Sequence, residues 1–130
     1  MTMFYWHIHH EILLEASDSI QERIDYVQAN KLAHEIETRL RWMTPVAGDL
    51  PQALRKAVVE YAKAWAEYDK GLAEYDKAGV KYLKYLKARA EYLKTRAKYD
   101  KAWAEYRPKV EALHAIEHPG CPWNGETLFP

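Results

Sequence analysis

Apolar positions change period along this chain, and each period predicts a different element. From Met3 to His10, Phe4, Trp6 and Ile8 alternate with Tyr5, His7 and His9, the two-residue period of a β-strand. Ser19 with Glu22 three residues on is a capping box, so a helix should start there, bury Ile20, Ile24 and Val27, and stop at Asn30. A second short helix, roughly Leu32 to Trp42, sets Leu32, Ile36 and Leu40 at four-residue steps. The connector from Pro45 has the composition of a turn and ends on Pro51, placed to open the next helix.

From Tyr61 the period becomes seven. Tyr61, Tyr68, Tyr75 and Tyr82 fall seven apart and, after a slip of three, so do Tyr85, Tyr92, Tyr99 and Tyr106. Seven residues make about two helical turns, so each tyrosine returns to one stripe. Alanine or glycine fills the fourth heptad position (Ala64, Gly71, Ala78, Ala88, Ala102), which lets another helix approach closely. The expected shape is one continuous helix from about Gln52 to about Ala115, roughly 95 Å long, its stripe covered by a second copy or by the short helices. The slip then reads as a stammer in a coiled coil. The alternative is a helical hairpin broken at Gly79, since the tyrosines are symmetric about residue 80: 61 with 99, 68 with 92, 75 with 85. Pro108 should end or kink the helix near Tyr106, although Val110, Leu113 and Ile116 allow two further turns. In the tail, Asn124-Gly125 signals a tight turn, and Thr127-Leu-Phe is strand-like and expected to pair with Phe4–His9.

The fold class is therefore mainly α: residues 1–51 hold a strand and two short helices, 52–116 the heptad helix, and 117–130 a tail packing on the N-terminal part, in a single domain. An apolar share of 48% supports a core. No run of about 20 apolar residues offers a membrane span, and the first ten residues lack the pattern of a signal peptide. Cys121, the only cysteine, excludes an internal disulfide. The expectation is a cytoplasmic protein with no membrane partner. Charge sums to zero but is uneven: four basic and eight acidic residues before Gln52 give −4, and fifteen against nine in 52–112 give +6. The zero sum argues against indiscriminate nucleic-acid binding.

Two sets of residues carry candidate chemistry. His7 and His9 on one strand face, with His118 and Cys121 from the tail, make an N/S set suited to zinc, with His114 one turn before His118 in reserve. Between Lys77 and Lys101, nine basic residues face only Glu91 and Asp100 and are interleaved with tyrosines. Lys84, Lys87, Arg89, Arg96, Tyr85 and Tyr92 are the candidate contacts to a nucleotide or nucleic acid, since phosphate attracts cations and bases stack on rings. The bland alternatives are a half-buried aromatic strand for the histidines and a solvated heptad face for the lysines. His9-His10-Glu11 is the best material for a metal-dependent hydrolase. No nucleophile elbow, phosphate loop or His-Glu-x-x-His motif accompanies it.

His9-His10-Glu11-Ile-Leu-Leu-Glu15, Ile20-Gln-Glu-Arg-Ile-Asp-Tyr26, Glu35-Ile-Glu-Thr-Arg-Leu-Arg41, the Tyr-Asp-Lys-Ala heptads and Cys121-Pro-Trp-Asn-Gly-Glu-Thr-Leu-Phe129 together resemble a family of small uncharacterised phage and prophage proteins. The resemblance implies a viral accessory origin and a variable heptad count, and carries over no catalytic residue. The expected function is non-catalytic: a self-associating protein, paired through its tyrosine/alanine stripe, that binds and inhibits a host macromolecule, with anti-defence inhibition as its specific form. A nucleotide- or nucleic-acid-binding protein is the alternative, and a metal-dependent hydrolase the second.

Overall fold

The computed structural model describes residues 2–78 and 82–130, the side chains of 76–78 excepted. In chain order the elements are β1 (Met3–Trp6), β2 (Leu14–Ser17), α1 (Ile20–Asn30), α2 (Ala33–Trp42), α3 (Gln52–Ala78) and α4 (Tyr82–Glu117). The fold is mainly α with one small sheet. The chain forms two units, one of residues 1–49 with 109–130, the other of residues 50–108. α4 contributes to each.

In the first, terminal unit, β1 pairs antiparallel with β2, Met3 opposite Ser17 and Trp6 opposite Leu14. The other edge of β1 is taken by residues 44–46, through Trp6 N–H to the Thr44 carbonyl and Val46 N–H to the Phe4 carbonyl, each at 2.9 Å. With both edges occupied, the tail cannot pair with 4–9 as expected. It makes a single ladder-like bond instead, Leu128 N–H to the His10 carbonyl at 2.9 Å. The strand also ends earlier than its alternation predicts. His7 has φ 50°, in the left-handed region that few non-glycine residues adopt, and this turns the chain out of β1.

α1 and α2 begin and end within a residue of the expected positions. Ile20, Ile24, Ile36 and Leu40, spaced for one helical face each, pack on a buried cluster of Tyr5, Ile8, Val27 and Met43. Leu32, expected inside, is exposed ahead of α2. The tail is pinned by Leu128, which is fully buried, and by Phe129, whose ring lies 5.2 Å from the Arg39 guanidinium. Asn124 accepts the N–H groups of Glu126 and Thr127 at 2.9 Å, the predicted turn.

In the second unit the heptads form a hairpin, and the single continuous helix is overturned. A continuous helix would separate Tyr61 from Tyr92 by about 46 Å, yet their ring centroids are 5.8 Å apart. The symmetric pairs meet: Tyr61 with Tyr99 at 4.6 Å, Tyr68 with Tyr92 at 4.9 Å and Tyr75 with Tyr85 at 5.3 Å, all stacked. Tilted contacts of 5.8 Å, Tyr61 with Tyr92 and Tyr68 with Tyr85, join these pairs into one ladder. The small heptad positions let the helices close: a Cβ added to Gly71 would meet Tyr85 Cα at 3.7 Å and Ala88 Cβ at 3.8 Å. The tyrosine stripe is thus half-covered from within the chain, with Tyr82 left exposed. Gly79, the expected break, lies outside the described residues.

α4 continues through Pro108 to Glu117. Proline removes one helical hydrogen bond, but the turns beyond it are anchored by buried Val110 and His114. Among the described residues, no helix is long and apolar enough to cross a membrane.

Candidate metal centre

The last turn of α4 carries His114, and His118, the residue that follows the helix, donates its N–H to the His114 carbonyl at 2.7 Å, which extends the same face by one residue. Immediately after it, His118-Pro-Gly-Cys121 forms a turn. Gly120 has φ 81° and the Cys121 N–H donates to the His118 carbonyl at 3.2 Å, the geometry of a type II turn with proline and glycine at its centre. The turn folds Cys121 back beside the helix end. His7, swung out of β1 by its left-handed backbone, completes the group. His7, His114, His118 and Cys121 each offer one ligand atom, and these atoms all lie within 4.8 Å of one another. All four belong to the terminal unit.

The hydrogen bonds settle which nitrogens point inward. His7 Nδ1 lies 3.1 Å from the Ile12 carbonyl, which can only accept, so Nδ1 carries the proton and Nε2 the lone pair. That lone pair faces His114 Nε2 at 3.0 Å and Cys121 Sγ at 3.6 Å. His118 Nε2 is held by Thr44 Oγ1 at 2.6 Å. Its Nδ1 is buried without a partner, one of two such side-chain atoms among the described residues, the other being Arg39 Nε. Buried polar atoms are rarely left so.

The surroundings are aromatic. Trp6 and Trp42 lie 5.1 Å from the His114 and His118 rings respectively, and Trp123 lies 5.0 Å from His7. Burial makes charge costly here, so the histidines are held neutral. Desolvation, then the neighbouring His114, lowers His7 to about 4; desolvation, then His118, lowers His114 to about 4. His118 is lowered by burial, and burial pushes the Cys121 thiol up. One carboxylate stands next to the group. Burial alone would raise Glu117, but bonds from Ala47 N–H, the Trp6 indole and Gly48 N–H, at 2.8, 3.0 and 2.8 Å, outweigh it and keep the carboxyl below its usual range. Its negative charge favours protonation of His114 and His118, and so would favour a bound cation.

The set differs from the expected one by one exchange. His9 leaves it, because the chain turns at His7 and the His9 ring binds the Glu15 carboxylate at 2.9 Å. His114 enters. Its signal was present in the sequence as His-x-x-x-His-x-x-Cys, a helical pair followed by a turn. His10, from the His9-His10-Glu11 group read as material for a hydrolase, bonds Thr127 Oγ1 at 2.9 Å.

The basic and aromatic face does not assemble as expected. The rings of Tyr85 and Tyr92 stack on Tyr75 and Tyr68 inside the hairpin, which leaves those faces to protein rather than to bases. Lys84 pairs with Glu74 at 3.3 Å and Arg96 with Asp100 at 3.9 Å. Lys87 and Arg89 are exposed. No protein-family model, no curated protein and no solved structure matches this chain.

Proposed function

We propose that this protein is a non-catalytic accessory protein of the phage type that acts by binding a host protein through its helical hairpin. The observation that carries this reading is Trp65. The residue is 48% exposed, yet its ring lies against Tyr68 at 6.0 Å and Tyr92 at 5.5 Å. A large ring fixed in place before binding loses little entropy on docking, and tryptophan is over-represented among residues that dominate interfaces. Tyr82, Leu83 and Leu93 are exposed on the same unit, Leu83 at 80%, although the hairpin has its own apolar interior. Inhibition of a host defence protein is the specific form of the reading, supported by the resemblance of the His9–Glu15, heptad and Cys121–Phe129 segments to phage proteins.

The test is capture from bacterial host lysate by the immobilised protein and by Trp65→Ala, followed by a Kd for the purified captured protein. The expected result is a loss of at least about thirtyfold for Trp65→Ala, the effect of removing a dominant interface residue, with unchanged circular dichroism. Equal affinity of the two proteins would sink the proposal. Binding of a labelled oligonucleotide that is lost on joint Lys87→Ala and Arg89→Ala substitution would replace it with the nucleic-acid reading.

A further inference from the structure

We propose that His7, His114, His118 and Cys121 bind a single zinc ion in a closed tetrahedral site, through Nε2 of His7 and His114, Nδ1 of His118 and Sγ of Cys121. In a tetrahedral zinc site with bonds of about 2.1 Å to nitrogen and about 2.3 Å to sulfur, ligand nitrogens lie about 3.4 Å apart and nitrogen and sulfur about 3.6 Å apart. The protein holds His7 Nε2 and His114 Nε2 at 3.0 Å and His7 Nε2 and Cys121 Sγ at 3.6 Å, so these pairs need adjust by only a few tenths of an ångström. One ligand atom from each of the four residues lies within 4.8 Å of the other three.

Three features independent of spacing point to a cation. The first is the orphaned Nδ1 of His118, in a side chain only 7% exposed. In the tautomer whose Nε2–H donates to Thr44 Oγ1, that nitrogen carries a lone pair with no donor to accept from. The second is crowding at His7: two hydrogen-bearing groups, His114 Nε2 and Cys121 Sγ, converge on one lone pair. A divalent ion at this point would take the place of both hydrogens, since each of the three atoms can then turn a lone pair toward it. The third is support around the ligands. Ile12 fixes the His7 ring and Thr44 the His118 ring, the outer contacts that metal-binding histidines require. The left-handed backbone of His7, strained for a residue with a Cβ, is the conformation that delivers its ring.

Binding is balanced in protons and charge. Zn²⁺ displaces the proton of the Cys121 thiol, which leaves to solvent, and the His114 proton moves from Nε2 to Nδ1. The site then carries +1, and Glu117 is the adjacent compensating carboxylate, already fixed by its three donors. Four protein ligands leave no open position, so the ion is structural. It ties the end of β1 to α4 and the tail.

The experiment titrates the full-length, metal-free protein with Co²⁺, a spectroscopic substitute for zinc, and measures bound zinc by elemental analysis after reconstitution. The expected result is one equivalent, strong visible bands of tetrahedral cobalt, a near-ultraviolet thiolate band and release of about one proton. Cys121→Ser should lose the thiolate band and at least about tenfold in affinity, while His9→Ala should match the wild type. Because Cys121→Ser changes one atom, loss of metal with retained circular dichroism separates ligand loss from unfolding. Thr44→Val gives a second reading, a weaker site with the thiolate band kept. A wild-type protein that takes up no zinc, or a Cys121→Ser protein with the wild-type spectrum and affinity, would overturn the proposal.

Discussion

The two units of this protein reach order by opposite routes. The hairpin unit is built from a repeat: a tyrosine every seven residues, with alanine or glycine between, and the rings of Tyr61, Tyr68 and Tyr75 stack on those of Tyr99, Tyr92 and Tyr85. Its information is local and redundant, so the loss of one rung leaves the others. The terminal unit has no repeat. It gathers β1 and β2, two short helices, the end of α4 and the tail, and its buried His114 and His118 meet residues more than 70 positions away: Thr44 to His118 spans 74 and His7 to His114 spans 107. Long loops must close before such contacts form, and their entropy must be offset by a few strong interactions. A metal ion is suited to that task, and the candidate ligands lie in this unit.

If that contrast holds, metal removal should act on one unit and not the other. Zinc at 100 to 1,000 times its Kd adds about 3–4 kcal/mol to stability. Chelation of the full-length protein should therefore lower the unfolding temperature and expose Trp6, Trp42 and Trp123 to quencher, while near-ultraviolet tyrosine dichroism persists. Simultaneous loss of tryptophan and tyrosine signals at one chelator concentration would show that the units are not energetically distinct.

A smaller effect separates two glycines. At Gly48, in the terminal unit, an added Cβ would lie 2.5 Å from Leu113 Cδ1 and 3.0 Å from the Glu117 carboxylate, itself held by three donors. Gly48→Ala should cost about 1–3 kcal/mol, as overpacking does. Gly71 sits in α3 with ordinary contact distances of 3.7 and 3.8 Å, so Gly71→Ala should stabilise the protein by up to about 1 kcal/mol through helix propensity. Thermal unfolding of the two variants reads the sign directly; the same sign for both would break the comparison.

The smallest effect is alkaline. Burial, then the hydrogen bond with Tyr92 at 3.4 Å, raises Tyr61 from 10.0 to about 12. The folded state keeps this proton when the unfolded chain has lost it. Its contribution is complete below about pH 10 and is lost as pH rises toward about 12. Tyr61→Phe should flatten that part of the stability curve, measured by denaturant midpoint against pH.

Legibility followed the same division. The heptads, the short helices and their buried faces could be read because period and capping are local signals, and even the ring pairs of the hairpin followed from their symmetry about residue 80. The choice of hairpin over continuous helix could not be made from the heptads, since both cover the same stripe. At the site, His7, His118 and Cys121 were legible by residue type and His9 was not excluded, because no local pattern announces a left-handed histidine at position 7. His114 was readable as the helical partner of His118, and its weight came only from the Pro-Gly turn that returns Cys121 to both.

The convergence of both chain ends on one ion is tested most directly by X-ray absorption at the zinc edge of the reconstituted protein. The expected first shell is three nitrogens at about 2.0–2.1 Å and one sulfur at about 2.3 Å, the sulfur vanishing in Cys121→Ser. A shell of light atoms alone in the wild type, or a sulfur contribution that survives the substitution, would contradict it.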